Sequence, residues 1–436
     1  MQKYIRRYEQ IILDVLDAII VRYQRDPDYH FIDTKLDIAT GQDFYPVASP
    51  CLAYQDKNAI YCWIQGRGLE ALVDHAAWLQ ESTILSTAES EDRIERIRQL
   101  IVEVMASMEK CRSRNHGRMF FCMNPTGEFR QVLNGCELAP VKSLPEGANF
   151  SDLFYSKGLL AAAAFLGDSA KLSEAESYFE RVVEDIRQGR FSTDQQAFDP
   201  KNPVTFVPGK NLQGPFMIAL SGTAVAAKHC NRDKWLGIAG ELIEHIISRH
   251  VNTGQYDELQ KYDFWEAVDE HNQPWRDDDR LICDPGHALE FAGLAMKNLL
   301  MMPKNDFICF RMAICCDILK NNFELGFAAG PGGIIKSFDL IKREAVNTDM
   351  PWWSLPETIR AAAEIYSFNG DTTMLAVIRQ CSDAFLQRYL NPQVHNMAYQ
   401  TRNAEGKMAA VIPATPDADP GYHTGLSLID ALKILI

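Results

Sequence analysis

Leu159-Leu160-Ala161-Ala162-Ala163-Ala164-Phe165 is the stretch on which the reading of this chain turns. An apolar run of this length inside a helical pattern leaves no polar face for water, so the helix that carries it must be wedged among other helices. The same helical period recurs in about twelve segments: roughly 3–24, 59–80, 91–111, 151–167, 170–189, 214–230, 233–250, 286–301, 304–324, 353–368, 371–389 and 422–435. They fall into pairs, and the longer connections between pairs share a Gly-containing turn, a few aromatic or β-branched residues and a polar turn. His116-Gly117-Arg118-Met119-Phe120-Phe121 closing at Thr126-Gly127, Gly332-Gly333-Ile334-Ile335 closing near Asp339, and Asn396-Met397-Ala398-Tyr399 closing at Glu405-Gly406 read as small β-hairpins. Six helical pairs with hairpins at one end form an internal repeat.

Such helices can stack as an open solenoid, which needs polar end caps, or close into a ring of six inner and six outer helices. The first and last helices carry apolar stripes as strong as the rest, which favours the ring. The expectation is therefore an all-α (α/α)6 barrel, a single domain over residues 1–436, with small hairpins at one rim.

The chain has 47% hydrophobic and 23% charged residues, an ordinary globular balance with ample core. A net charge of −14 without a Lys/Arg-rich run disfavours nucleic acid and anionic membranes as partners. MQKYIRRYEQIILDVLDAIIVRYQ interleaves charge with apolar residues at helical spacing and reads as an amphipathic helix rather than a signal peptide. No stretch approaches the ~18 apolar residues of a membrane span. Eleven cysteines without a CxxC pair, several of them (Cys62, Cys309, Cys315) inside helical patterns, suit buried thiols in a reducing compartment, so the cytoplasm is expected.

Two histidines stand out among 10. His287, in Asp284-Pro285-Gly286-His287-Ala288-Leu289-Glu290, and His423, in Gly421-Tyr422-His423, both lie in Pro/Gly-marked turns that open apolar helices. The positive end of a helix dipole favours the neutral imidazole that a base near pH 7 requires. Two such groups facing one cavity suit proton removal from a carbon acid and its return on the other face. In a helical barrel the loops at one rim form a cup, and Trp63, Phe264, Trp265, Trp275, Trp352, Trp353 and Tyr422 fall in those loops. Aromatic platforms with carboxylates suit a sugar ring, whose C–H faces stack while its hydroxyls seek charge. Adjacent Trp352 and Trp353 cannot both face the core, so one is expected to line the cup.

Gln65-Gly66-Arg67, Ser151-Asp152-Leu153-Phe154, Asp263-Phe264-Trp265-Glu266, Pro285-Gly286-His287 with Glu290, Trp352-Trp353 with Glu357, and Tyr422-His423 occur in this order over nearly the whole chain. In this the chain resembles the N-acylglucosamine 2-epimerase family, and Pro-Gly-His-x-x-Glu is the most specific part. The resemblance implies an (α/α)6 barrel and cofactor-independent deprotonation and reprotonation of a sugar beside its anomeric carbon. It implies that His287 and His423 are the acid/base groups, that Arg67 holds the carbonyl oxygen and stabilises the enediolate, that Glu290 orients His287 or assists ring opening, and that Glu357 binds hydroxyls. Trp353, Trp352, Glu266, Tyr422 and Asp152 join the expected substrate-binding set. The chain departs from the family pattern at Met350 and Leu355, where many members carry lysine and glutamine. It also departs at Gly214-Pro215-Phe216-Met217, where mannose isomerases and cellobiose epimerases carry a third histidine. The acidic run Pro416-Asp417-Ala418-Asp419-Pro420-Gly421 points to an altered substrate.

His287 and Glu290 have a chelating spacing, but no second His/Asp/Glu pair is apparent, so no metal is expected. Gly326-Phe327-Ala328-Ala329-Gly330-Pro331-Gly332-Gly333 lacks the Lys-Ser/Thr of a P-loop and reads as a turn before a hairpin. No cofactor is expected to be required; the resemblance leaves room for a nucleotide such as ATP as an activator, without locating it. The expected partner is a small sugar, and apolar outer helices leave room for a homodimer. The first reading is a sugar epimerase of the N-acetylglucosamine/N-acetylmannosamine 2-epimerase kind, followed by an aldose–ketose isomerase of the mannose isomerase kind. Further alternatives are a glycoside hydrolase drawing on Asp277-Asp278-Asp279, Asp284 and Glu266, and a barrel that binds without turnover.

Overall fold

A computed structural model describes residues 1–44, 52–198, 204, 207–409, 411, 412 and 414–436. Twelve principal helices follow the expected segments: α1 (Gln2–Arg25), α2 (Cys62–Glu81), α3 (Thr87–Arg114), α4 (Phe150–Leu166), α5 (Ser169–Arg187), α6 (Gly214–His229), α7 (Arg232–His250), α8 (Pro285–Met301), α9 (Asp306–Gly326), α10 (Ser354–Asn369), α11 (Thr373–Ala384) and α12 (Ser427–Leu435). A π-helical turn extends α11 through Phe385–Tyr389, and another, Tyr422–Leu426, leads into α12.

The even-numbered helices form the inner ring. Each packs on the next, α2 on α4 and so on to α12, and α12 packs back on α2, while each odd-numbered helix covers a neighbouring inner one. Burial follows this division. Every residue of α4 from Phe150 to Ala163 is buried, whereas α3 buries only a stripe containing Ile97, Leu100, Ile101, Val104, Met108 and Cys111. A polyalanine run fits an inner helix because small side chains let neighbouring helices approach closely. The α2/α4 contact goes further: a Cβ on Gly66 would lie 2.4 Å from the Phe154 carbonyl oxygen, and one on Gly158 would lie 2.3 Å from that of Gly66. This contact sets Arg67, the next residue, beside Phe154.

The hairpins are partly as expected. Cys122–Met123 pairs with Phe129–Leu133 across the Thr126-Gly127 turn. Gly333–Ile334, however, pairs backward with Phe327–Ala328, so the glycine-rich run is itself the hairpin turn, and Ser337–Asp339 pairs with Glu344–Asn347 and with Ile282–Cys283. Met397–Ala398 likewise pairs backward with Leu390–Asn391, while Thr401–Arg402 pairs with Met350–Pro351. Met350 and Leu355 are fully buried, so these two departures from the family pattern are core residues. No helix among the described residues is long and apolar enough to cross a membrane.

Candidate active site

The inner helices present their N-termini to one rim, and both marked histidines lie there. Asp284 caps α8, with Oδ1 accepting from the backbone N–H groups of Gly286 (3.0 Å) and His287 (3.4 Å). Pro285 occupies the first helical position, where its missing N–H costs nothing. Gly286 is required by its neighbour: a Cβ there would sit 2.9 Å from Cη2 of Trp353. The His287 ring stacks on Trp353 with centroids 5.4 Å apart and planes 28° apart.

His287 Nδ1 lies 2.8 Å from Glu266 Oε2 and 3.5 Å from Asp284 Oδ2, whose other partner is Lys336 Nζ at 2.5 Å. Burial alone would lower the His287 pKa, but Asp284 and Glu266 outweigh it and carry it up to about 9. The expectation of a neutral imidazole at this helix start is therefore overturned: two adjacent full charges dominate the fractional charge of a helix dipole. His287 holds its proton at neutral pH.

The second histidine follows the left-handed Gly421 (φ 83°). Asp419 ties down the turn by accepting from the backbone N–H groups of Tyr422 (2.9 Å), His423 (3.4 Å) and Thr424 (3.1 Å). Asp417 forms a buried ion pair with Lys35 at 2.9 Å. The acidic run before His423 thus works within the protein and gives no sign of an altered substrate. His423 Nδ1 lies 2.9 Å from Glu357 Oε1, and Arg360 holds the other Glu357 oxygen. Burial would raise the Glu357 pKa, but Arg360 and His423 hold it below the usual range. The His423 ring touches Trp353 (5.7 Å), Trp352 (5.6 Å, edge-on) and Tyr422 (4.9 Å, edge-on). In both dyads an Nδ1–H given to a carboxylate leaves Nε2 as the working nitrogen.

Several of the expected site residues have partners within the protein. Glu266 and Glu357 serve the histidines, and Glu266 rather than Glu290 orients His287. Asp152 does not join this group: its oxygens accept from Tyr178 Oη (2.7 Å), the Met119 N–H (2.8 Å), Arg118 Nε (2.9 Å) and the Asn149 N–H (3.2 Å), between α3 and α5. Of the paired tryptophans, Trp352 is core and Trp353 is the partly exposed one. Tyr422 turns its hydroxyl to buried Lys157, which also bonds Glu70 and Ser221 at 2.7 Å each.

Arg67 is the clearest open donor. Its guanidinium lies over Phe154 (4.2 Å), Trp63 (5.4 Å) and Tyr422 (5.5 Å). It has no hydrogen bond or ion pair among the described residues, and its Nε is buried without a partner. Glu290 is buried and likewise unbonded among the described residues; burial and the nearby Glu357 raise its pKa, against the pull of His423 and His287. Glu290, Glu357 and His423 each offer a ligand atom within 4.8 Å of the others, enough donors for a catalytic metal. Arg360 already supplies the cation that Glu357 needs. Of the carboxylates suggested for hydrolysis, Asp277 is engaged with Lys210 (2.6 Å) and Trp275 Nε1 (2.9 Å), Asp284 and Glu266 stand around His287, and Asp278 and Asp279 are exposed at the surface.

Sequence reasoning missed Lys157, Lys336, Arg360 and the Lys35–Asp417 pair. The partners of Lys157, Lys336 and Lys35 are remote in sequence, and an isolated lysine carries no local sign of what it meets; Arg360 stands one helical turn from Glu357, a spacing that could have found it.

The fold and site define a helical-barrel enzyme of carbohydrate epimerisation or isomerisation. The chain belongs to the N-acylglucosamine 2-epimerase (GlcNAc 2-epimerase) family, whose model matches residues 149–425. That span contains both histidines, Glu290 and Glu357, and leaves Arg67 outside it. Similar solved structures include a sugar epimerase from a ruminal bacterium (14% identity, 99% of each chain, TM-score 0.69). Another is the cellobiose 2-epimerase from Spirochaeta thermophila DSM 6192 (13% identity, 99% of this chain and 97% of that one, TM-score 0.66). A third is a D-mannose isomerase (16% identity, 96% of this chain and 97% of that one, TM-score 0.62). At these identities the likeness is one of fold. A comparison with curated proteins gives no match.

Proposed function

We propose that the protein epimerises an aldose at C2, an N-acetylated hexosamine being the first reading, through ring opening and an enolate, which is an enediolate where C2 carries a hydroxyl. The observation that carries this reading is a pair of His–carboxylate dyads meeting at one tryptophan, with an arginine that has no partner among the described residues on the same rim. The open-chain sugar stacks on Trp353 with its carbonyl oxygen toward Arg67. His423 Nε2 removes the C2 proton, and negative charge grows on the carbonyl oxygen where the guanidinium waits. His287, protonated at neutral pH, returns a proton to C2 from the other face. The reverse reaction exchanges the two roles. Glu290, whose pKa is raised by burial and by Glu357, assists ring opening as a general acid.

If one histidine instead carries the proton from C2 to C1, the product is a ketose; the same dyads serve both outcomes. The test uses C2-deuterated substrate and the single variants His287→Gln and His423→Gln. On this reading each variant stops net epimerisation, while one still washes out label from one epimer and the other variant from the opposite epimer. Full turnover by either variant would sink the two-histidine assignment.

A further inference from the structure

The His287 proton faces a choice that the two-carboxylate arrangement does not settle by itself. Nδ1 has Glu266 Oε2 at 2.8 Å and Asp284 Oδ2 at 3.5 Å. A ring that turned toward Asp284 would swing Nε2 away from the substrate carbon. Lys336 stands at this fork. It comes from the connection between the Gly333–Ile334 and Ser337–Asp339 strands, outside the helical ring, and its Nζ lies 2.5 Å from the same Asp284 Oδ2. Its side chain is 40% exposed while that of Asp284 is 6% exposed, so the ammonium joins the buried carboxylate to the open cup, 5.8 Å from the centre of the Trp353 ring.

We infer that Lys336 is a positioning residue for His287: by occupying Asp284 Oδ2 it commits Nδ1–H to Glu266 and keeps the imidazolium acidic enough to give up its proton. The charged groups facing His287 are Asp284, Glu266 and Glu290 on the acidic side and Lys336 on the basic side. The Lys336 ammonium opposes the two carboxylates that raise the His287 pKa. Without it, Asp284 would be a free anion able to compete for the proton, and a histidine that binds its proton more tightly is a poorer acid. This role rests on the reading of His287 as an acid/base group, but its first test does not.

The His287 ring is titrated by NMR in the full-length protein, its resonance identified by its loss in His287→Gln. Lys336→Met should move the midpoint upward by about one pH unit and Lys336→Arg should leave it near the native value, since a charge within ~4–6 Å shifts a pKa by this order. C2 exchange near pH 7 should fall about tenfold in Lys336→Met, the rate equivalent of one unit, and recover in Lys336→Arg. The ammonium is partly exposed, so both variants should fold; Lys336→Gln with a matched thermal melt serves if the methionine variant does not. An unchanged midpoint in the neutral variants, or an arginine variant as shifted as the methionine one, overturns the inference. A shifted midpoint in a protein that exchanges no sugar at all upholds it and instead sinks the proposed function.

Discussion

Replacing Arg67 by methionine separates chemistry from architecture more sharply than any other single change. The guanidinium offers five N–H donors and no acceptor, and none is engaged among the described residues. Its contacts are with the faces of Phe154, Trp63 and Tyr422, and an unbranched methionine retains much of that apolar contact. Burial works against the charged form of Arg67, lowering its pKa. Removing the charge therefore breaks no ion pair and relieves a desolvation cost. Stability should hold, with the thermal midpoint within about 2 °C of native or higher. Activity should not hold, because losing one preorganised donor to a developing oxyanion costs about 10²–10³ in rate, or about 2.7–4 kcal/mol. The assay is C2 hydrogen exchange in D2O followed by NMR, paired with a thermal melt of the same sample. A midpoint lowered by more than about 5 °C with exchange within about threefold of native would refute the reasoning. Arg67 would then be a clasp for three aromatic rings.

Glu266→Gln removes the carboxylate bonded to His287 Nδ1 and leaves Asp284 at 3.5 Å, so the alkaline limb of C2 exchange, expected near the His287 value of about 9, should move down by about 1–2 units. For stability the sign is fixed by the raised pKa: the His287 contribution is complete below 6.5 and is lost as pH rises through about 9. Urea melts from pH 6 to 10 should show that loss in the native protein and a smaller one in Glu266→Gln. Lys35→Met should destabilise by about 3–5 kcal/mol by leaving Asp417 buried and unpaired; adding Asp417→Leu should recover most of that in the same urea melts. Because Arg360 already neutralises Glu357, treatment with EDTA followed by gel filtration should leave C2 exchange unchanged. Loss of activity restored by one divalent metal would reassign Glu290, Glu357 and His423 as ligands.

Helices were legible because their signal is local and long. The Leu159–Phe165 run, the Gly167 terminator (φ 71°) and the Asn149/Asp152 capping box lie within α4 or at its ends. That capping box is also the signal that would have withdrawn Asp152 from the substrate set, since a residue bonded back to its own N-cap has little left for a ligand. Two-residue strands carry no comparable signal. Gly333–Ile334 and Met397–Ala398 chose partners behind them rather than ahead, a choice set by tertiary contacts. The histidines were legible from Pro/Gly turn chemistry, but their protonation was not. It depends on Glu266 and Lys336, which are 21 and 49 residues away in the chain and meet only when the barrel closes.

The account stands most directly on hydrogen exchange at C2. The purified protein is incubated in D2O with N-acetylmannosamine, N-acetylglucosamine, mannose, glucose and cellobiose in separate samples, without and with ATP, and deuterium is followed by NMR. Deuterium entering C2 of one sugar as its C2 epimer appears is the predicted result; a ketose product would select the second reading. Absence of exchange into every sugar at high protein concentration would contradict the central claim that the two dyads and Arg67 form a working C2 acid/base site.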